Sequence, residues 1–303
     1  MTAEAAPGWK AEPERGAVFW FRVMLWIAQA AGRPVARLIL YPIVGYYLLT
    51  ARTAQKHSRA FLARTLGRAP TLADVTRHLH CFASVILDRL FIMLDRTRDF
   101  DAAALKPAGV DEVAYGPNGC LLFVSHLGSF EAMRLLASKK GPIKVLLDRE
   151  HNRRMTAFFQ AVNPALADSI IDAGSGGPGL VLAVKQALNE KHRVGVMVDR
   201  AGKGERRIDA PFFGAPAPFP AGPWLMAAAL KAPVVLGFGL FEGGNRYRLH
   251  FEVFAQRLEL AREHREAELR ACVARYAQRL EHYARLSPYN WFNFYDFWER
   301  PGA

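Results

Sequence analysis

The chain has 303 residues, of which 51% are hydrophobic and 22% are charged, enough apolar material for one large α/β domain or two small ones. Lys and Arg outnumber Asp and Glu, which gives a net charge of +12. This charge suits an anionic membrane surface, an acidic carrier protein or a nucleic acid as a partner. No RNP motif, zinc finger or recognition helix is recognisable, so no nucleic-acid partner is expected, and the isolated Cys81, Cys120 and Cys272 give no disulfide framework.

The first fifty residues divide into a polar tail and an apolar segment. Residues 1–16 lack the charged start and apolar centre of a signal peptide. Residues 17–50 contain two apolar stretches, each shorter than the roughly 20 residues that span a bilayer. We expect a pair of helices that lies on or dips into an anionic membrane, with these aromatic residues at the headgroup level: Trp20, Trp26, Tyr41, Tyr46 and Tyr47. A soluble hairpin packed on the core is the alternative.

Residues 51–303 have the pattern of one α/β domain. A long amphipathic helix is predicted over 72–96, with His78 and His80 on its surface. Short apolar runs then alternate with helical patterns, which is typical of a mostly parallel central sheet flanked by helices. The predicted strands are 120–125, 143–148, 168–172, 194–199 and 233–240, and the predicted helices are 129–139, 152–162, 179–191 and 222–231. An antiparallel edge strand at 246–254 precedes a charged helix over 256–286.

The junction after the strand 120–125 carries the main candidate site. His126 follows this apolar run, Gly128 permits a sharp turn, and Ser129 is a candidate N-cap for the helix that carries Glu131 in its first turn. From that turn Glu131 can accept a hydrogen bond from one imidazole nitrogen and leave the other as a base. The alternative is that His126 only ends a strand and Glu131 is an ordinary first-turn acid.

Three blocks of the sequence carry a resemblance. His126–Leu–Gly–Ser–Phe–Glu131 has the form His-x4-Glu, Val198–Asp199–Arg200 is followed by APFFGAPA at 210–217, and SPYNW lies at 287–291. In this order they resemble the His-x4-Asp/Glu motif, the strand-end acidic segment with its PFFG-x-PA block, and the closing P-x-x-Y-x-W element of acyltransferases. The family is the lysophospholipid and glycerolipid acyltransferase superfamily, in its lipid A (lauroyl/myristoyl) branch. The ending WFNFYDFW at 291–298 looks like a sub-branch associated with aryl polyene biosynthesis.

The resemblance implies a chemistry and a location. An acyl group would pass from a thioester, on acyl carrier protein or coenzyme A, to a hydroxyl or amine of a lipid or lipid-like acceptor. His126 would take the acceptor proton, and Glu131 would orient His126, so neither a cofactor nor a metal is required. The protein would act at the cytoplasmic face of the bacterial inner membrane as a peripheral or monotopic enzyme. Acyl carrier protein and anionic membrane lipids are the expected partners.

Other residues are candidates for binding the substrates. Backbone N–H groups of Gly128 and Ser129 at the helix start can stabilise an oxyanion. Asp199 can hold an acceptor hydroxyl, and Arg200 and Arg149 can bind an anionic group. For these charged residues a surface ion pair or a solvated basic patch is the alternative. Four aromatic residues can line an acyl channel or form plain core: Phe212, Phe213, Phe219 and Trp224.

Two other functions compete with acyl transfer. Gly174, Gly176 and Gly179 satisfy the G-x-G-x-x-G pattern of enzymes that use NAD or S-adenosylmethionine, and Asp199 follows at a spacing suited to a ribose hydroxyl. That interpretation leaves His126 and the apolar N-terminal segment unexplained. A peripheral membrane protein that binds lipid without turnover is the non-enzymatic alternative, and it would not need the imidazole of His126.

Overall fold

The computed structural model describes residues 17–137, 143–149, 163, 167–174, 176–202 and 204–298. Within them the strands are β1 (Asp101–Leu105), β2 (Cys120–Val124), β3 (Ile143–Leu147), β4 (Ile170–Asp172), β5 (Arg193–Met197), β6 (Arg207–Phe212), β7 (Ala215–Pro220), β8 (Val234–Gly243) and β9 (Arg246–Ala255). The helices are α1 (Ala17–Thr50), α2 (Arg52–Leu66), α3 (Leu72–Met93), α4 (Val110–Ala114), α5 (Arg134–Ala137), α6 (Gly177–Asn189), α7 (Gly222–Leu230) and α8 (Arg265–Leu286), with 3-10 turns at Thr97–Asp99 and Glu131–Met133.

Seven of the strands form one sheet, in the order β1-β9-β8-β2-β5-β3-β4. Strands β8, β2, β5, β3 and β4 are parallel, β9 is antiparallel to β8, and β1 is parallel to β9. The predicted mostly parallel sheet is therefore confirmed. All five residues of β2 are buried, as expected for a central strand covered on both faces. The carboxyl ends of the five parallel strands share one edge of the sheet, where functional groups gather in such folds.

Strand β9 is antiparallel as predicted, but the prediction that it forms the edge of the sheet is wrong. The alanine-rich strand β1 pairs with β9 and covers it. Alanine and aspartate are poor strand formers, so the sequence of β1 carries no local signal that predicts a strand. Its pairing depends on the neighbouring strand rather than on its own composition.

A second, two-stranded sheet was not predicted at all. Strands β6 and β7 form an antiparallel hairpin that holds the APFFGAPA block. Its two turn residues, Phe213 and Gly214, both have positive φ, as a tight hairpin turn requires. The prolines of these strands argue against a central strand, but a two-stranded sheet leaves one side of each strand unpaired, where proline is tolerated.

Most predicted helices are present with altered ends. The region predicted as a helix over 129–139 is a 3-10 turn followed by the short helix α5, and the charged helix begins at Arg265 rather than near 256. The helix predicted over 152–162 lies outside the described residues. Helix α3 starts with a capping box between Thr71 and Asp74. The prediction that His78 lies on the surface of α3 is wrong, because its side chain is fully buried.

Helix α1 is broken at Gly32, whose φ of 74° separates two helical segments. The second segment packs on α3 through Ala36 and Leu40, while Val44 joins the main core. A buried ion pair fastens it, with Arg33 Nε 2.7 Å from Asp88 Oδ1. The opposite face is exposed and apolar, with these side chains in solvent: Val35, Leu38, Tyr41, Tyr46, Tyr47 and Leu49.

Among the described residues, no helix is long and apolar enough by itself to cross a bilayer. One bent pair, Gly32–Thr50 with Arg52–Leu66, passes the same criteria of length and composition when its two helices are taken together.

Candidate active site

His126 lies in the loop that leaves the carboxyl end of β2. The loop turns at Gly128, where φ is 69°, a conformation that favours glycine. A Cβ atom at Gly128 would lie 1.9 Å from the carbonyl oxygen of Gly239. The N–H of Ser129 donates to that same oxygen at 2.8 Å. The loop therefore packs backbone to backbone on β8, and this fixes the point at which the imidazole leaves the sheet.

The imidazole of His126 is hydrogen-bonded to Asp199, which follows β5. His126 Nδ1 lies 2.9 Å from Asp199 Oδ1, and the backbone N–H of His126 donates to Oδ2 at 3.1 Å. Strand β5 is the direct neighbour of β2, so the two strand ends bring these residues together. The Asp199 side chain is fully buried, whereas 38% of the His126 side chain is exposed. The imidazole of His126 is thus accessible to solvent, whereas the carboxylate of Asp199 is not.

The carboxylate sets the proton positions of the pair. Burial by itself raises the pKa of Asp199. The opposing effects of His126 and, more weakly, of Arg200 are together larger, so this pKa lies below its usual range. An ionised carboxylate only accepts hydrogen bonds, so Nδ1 of His126 must carry the proton. In the neutral ring Nε2 then keeps its lone pair. No residue that the structure describes bonds Nε2, which leaves this atom available as a base.

The segment after α8 completes the site from the other side. The N–H of Gly128 donates to Asn290 O at 2.8 Å, and the N–H of Phe292 donates to His126 O at 3.2 Å. The segment therefore adds a short antiparallel pairing to the His126 loop. Trp291, between these two residues, is fully buried and donates its indole N–H to Asp199 Oδ2 at 3.3 Å. The sequence placed Trp291 in a family motif but assigned it no contact.

Glu131 has other partners than the one predicted. Its Oε1 lies 2.7 Å from Arg89 Nε on α3, and its Oε2 accepts a hydrogen bond from Ser129 Oγ at 3.3 Å. The predicted hydrogen bond between Glu131 and the imidazole is not formed, since Nδ1 bonds Asp199 instead. Ser129 does cap the helix start, because its Oγ accepts the N–H of Ala132 at 3.1 Å. Glu131 therefore ties the His126 loop to α3.

The backbone donors predicted for an oxyanion are already engaged. The N–H of Gly128 is bonded to Asn290 O and the N–H of Ser129 to Gly239 O, both at 2.8 Å. These two groups hold the loop in place and are not free to bind a substrate oxygen. The oxyanion role of Gly128 and Ser129 stays a prediction, one that would require these two hydrogen bonds to be given up.

The charged residues predicted to bind substrate also form contacts within the protein. Asp199 is fully buried between an imidazole and an indole, so it cannot hold an acceptor hydroxyl. Arg200 donates to Phe292 O, and its guanidinium lies 5.2 Å from the ring centre of Tyr295. Arg149, at the carboxyl end of β3, donates to two backbone carbonyls at 3.1 and 3.4 Å. Of the two arginines, Arg200 is the one in contact with the His126 site, since its Nε lies 3.6 Å from Asp199 Oδ2.

The sequence as a whole also identifies the protein's relatives. A model of the family described as bacterial lipid A biosynthesis acyltransferase matches residues 13–300. The chain belongs to this family. A search of curated proteins returned no match. Membership confirms the resemblance to the lipid A branch and implies acyl transfer to a lipid acceptor.

For a lipid A-type acyltransferase the other sequence features have structural roles. Of the glycines in that pattern, Gly176 precedes α6 and Gly179 lies in its first turn. The acid that the nucleotide interpretation needs, Asp199, is hydrogen-bonded to His126. The four aromatic residues considered for an acyl channel are each 7% exposed or less and belong to the main core: Phe212, Phe213, Phe219 and Trp224. Within the described part of the chain, no group of three His, Cys, Asp or Glu side chains is placed to hold a metal ion.

Proposed function

We propose that the protein transfers an acyl group from a thioester to a hydroxyl or amine of a membrane-borne, lipid-like acceptor, with His126 as the general base. The observation that carries the proposal is the half-exposed imidazole whose Nδ1 is bonded to a buried carboxylate and whose Nε2 has no described partner. This arrangement is typical of enzymes that remove a proton from a neutral nucleophile.

In this mechanism Nε2 of His126 accepts the proton as the acceptor oxygen or nitrogen attacks the thioester carbonyl. Asp199 stabilises the imidazolium that forms and keeps the ring in its orientation. The tetrahedral intermediate then collapses, the carbon–sulfur bond breaks, and the imidazolium returns the proton to the leaving thiolate. Glu131 does not contact the imidazole in this mechanism. It supports the His126 loop through its contacts with Ser129 and Arg89.

The second segment of α1 supports a membrane location. Its inner face packs on α3, while Leu38 and Leu49 on the outer face are 65% and 80% exposed. A helix that is apolar on both faces needs a second apolar environment, and a bilayer interface provides one. We propose that this face rests on the cytoplasmic side of the inner membrane. Exposed cations at helical spacing on α2, at Arg52, Lys56 and Arg59, suit its anionic headgroups.

The donor proposed is an acyl thioester of acyl carrier protein, with coenzyme A as the other source of the same thioester. The net charge of +12 favours an acidic carrier protein. The mechanism above uses only the thioester carbonyl and is the same for both donors.

Mass spectrometry of membranes that contain the wild type or His126→Ala, supplied with each donor, tests the proposal. We expect a new acylated lipid with the wild type and its loss with His126→Ala. His264→Ala, which alters an exposed histidine before α8, is the matched control and should keep full activity. An active His126→Ala variant would rule out the mechanism. Identical lipids from wild type and mutant with every donor would favour a lipid-binding protein without turnover.

A further inference from the structure

Trp291 contacts Asp199 directly and lies beside the His126 loop, where the N–H of the next residue, Phe292, donates to His126 O. Its indole N–H donates to Asp199 Oδ2 at 3.3 Å, and its backbone pairs with Leu127, next to His126. The ring is fully buried and meets the edges or faces of Phe61, Phe212 and Phe297 at centroid distances of 4.9–5.1 Å. Neither the proposed reaction nor the packing of the sheet requires that an indole nitrogen point at this carboxylate.

We propose that Trp291 is a positioning residue that fixes the rotation of the Asp199 carboxylate and so aims Oδ1 at Nδ1 of His126. This inference rests on the proposed function. Asp199 Oδ2 accepts two N–H groups, one from the backbone of His126 and one from the indole. With both in place the carboxylate plane is set, and Oδ1 faces the imidazole. Without the indole, a fully buried anion loses a charge-assisted hydrogen bond and one of the two donors that hold Oδ2.

A second histidine holds the backbone of Trp291. His78 Nε2 lies 3.0 Å from Trp291 O, and its Nδ1 lies 2.8 Å from Ser58 Oγ. A carbonyl only accepts, so Nε2 carries the proton and the hydroxyl of Ser58 donates to Nδ1. A continuous series of hydrogen bonds thus runs from α2 through α3 and Trp291 to the carboxylate. The orientation of His126 is therefore linked to α3 and to α2, the helix whose exposed cations are proposed to meet the membrane headgroups.

The test compares Trp291→Phe with Trp224→Phe. Both tryptophans are fully buried in the same core, but the indole N–H of Trp224 has no hydrogen-bond partner among the described residues. The probe is lauroyl-acyl carrier protein with native membranes as acceptor. We expect kcat of Trp291→Phe to fall roughly tenfold to a hundredfold with KM within about twofold of wild type, and Trp224→Phe to keep its kcat.

The Asp199→Asn background separates positioning from packing. There the carboxylate is already absent, so adding Trp291→Phe should lower kcat by less than about twofold further. If the two substitutions multiply instead, Trp291 acts independently of Asp199 and the proposal is overturned. Equal losses of kcat in Trp291→Phe and Trp224→Phe would overturn it as well.

A readout without turnover keeps this inference distinct from the proposed function. The hydrogen-bonded Nδ1 proton of His126 is followed by NMR and assigned by its loss in His126→Ala. We expect Trp291→Phe to shift this signal or accelerate its exchange with water, and Trp224→Phe to leave it unchanged. An unchanged signal in Trp291→Phe would refute positioning even in an active enzyme. A shifted signal in a protein that transfers no acyl group would support positioning and reject only the proposed reaction.

Discussion

Two buried carboxylates lie near His126, and their surroundings differ. Asp199 is far away in the sequence, yet it bonds the imidazole, the backbone of His126 and an indole. Glu131 is five residues away, yet its partners are a hydroxyl and the guanidinium of Arg89. The one acid faces the proposed base, and the other faces a structural cation. Proximity along the chain therefore does not identify which acid assists the base.

The largest effect should come from Asp199→Asn. The substitution keeps the shape of the side chain but removes the charge that stabilises an imidazolium and fixes its tautomer. We expect kcat to fall on the order of a thousandfold or more, with the fold retained. Steady-state kinetics and circular dichroism measure the two quantities. A variant with more than about a tenth of wild-type kcat would show that Asp199 is not the partner that the base requires.

A smaller effect is expected from Glu131→Gln. The amide still bonds Ser129 but leaves Arg89 without its counter-charge, and Arg89 is 27% exposed. We expect a loss of about 1–2 kcal/mol in the free energy of unfolding and less than about a tenfold loss in kcat. Urea denaturation measures the first quantity.

The double variant Arg89→Gln with Glu131→Gln sharpens this test. Because it removes both charges, it should recover part of the lost stability. A thousandfold loss of kcat in Glu131→Gln would instead make the two acids equivalent and invalidate the comparison.

The last prediction concerns His78, which is outside the proposed reaction but should make the stability of the fold depend on pH. Burial lowers the pKa of His78 to about 4, although its bond to Trp291 O opposes the shift. The unfolded chain therefore binds a proton in a pH range where folded His78 does not. Stability attributable to this residue is complete above pH 6.5 and is lost as the pH falls towards 4, by about 3 kcal/mol in total.

Denaturation series between pH 4 and pH 7 test this expectation against His78→Gln, which does not titrate. The difference in unfolding free energy between wild type and variant should shrink as the pH falls. A constant difference would contradict a buried neutral imidazole at this position.

The sequence predicts most of the strands and helices correctly, but it does not predict which strands lie side by side in the sheet. His126 and Asp199 were each predicted at a strand end, and both are. Their contact depends on the pairing of β2 with β5, which skips the two strands between them in the chain. Strand order follows from packing over the whole sheet, so the bond between these residues was not readable from local patterns.

The burial of His78 follows from the spacing of its neighbours on α3. Val75 and Leu79 are buried on the same helix, three residues before and one after it. That spacing puts His78 on the inner side of α3, and an imidazole there needs two partners. The partners themselves, Ser58 and the carbonyl of Trp291, lie in other elements, so only the burial could have been predicted.

The pairing of the His126 loop with Asn290–Phe292 has a consequence for how the protein is made. More than half the length of the chain separates the two strands of this pairing. A nascent chain on the ribosome can fold β2 and β5 and still lack the segment that closes on the histidine. The hydrogen bonds around His126 are therefore completed only after Phe292 has been translated, long after His126 itself.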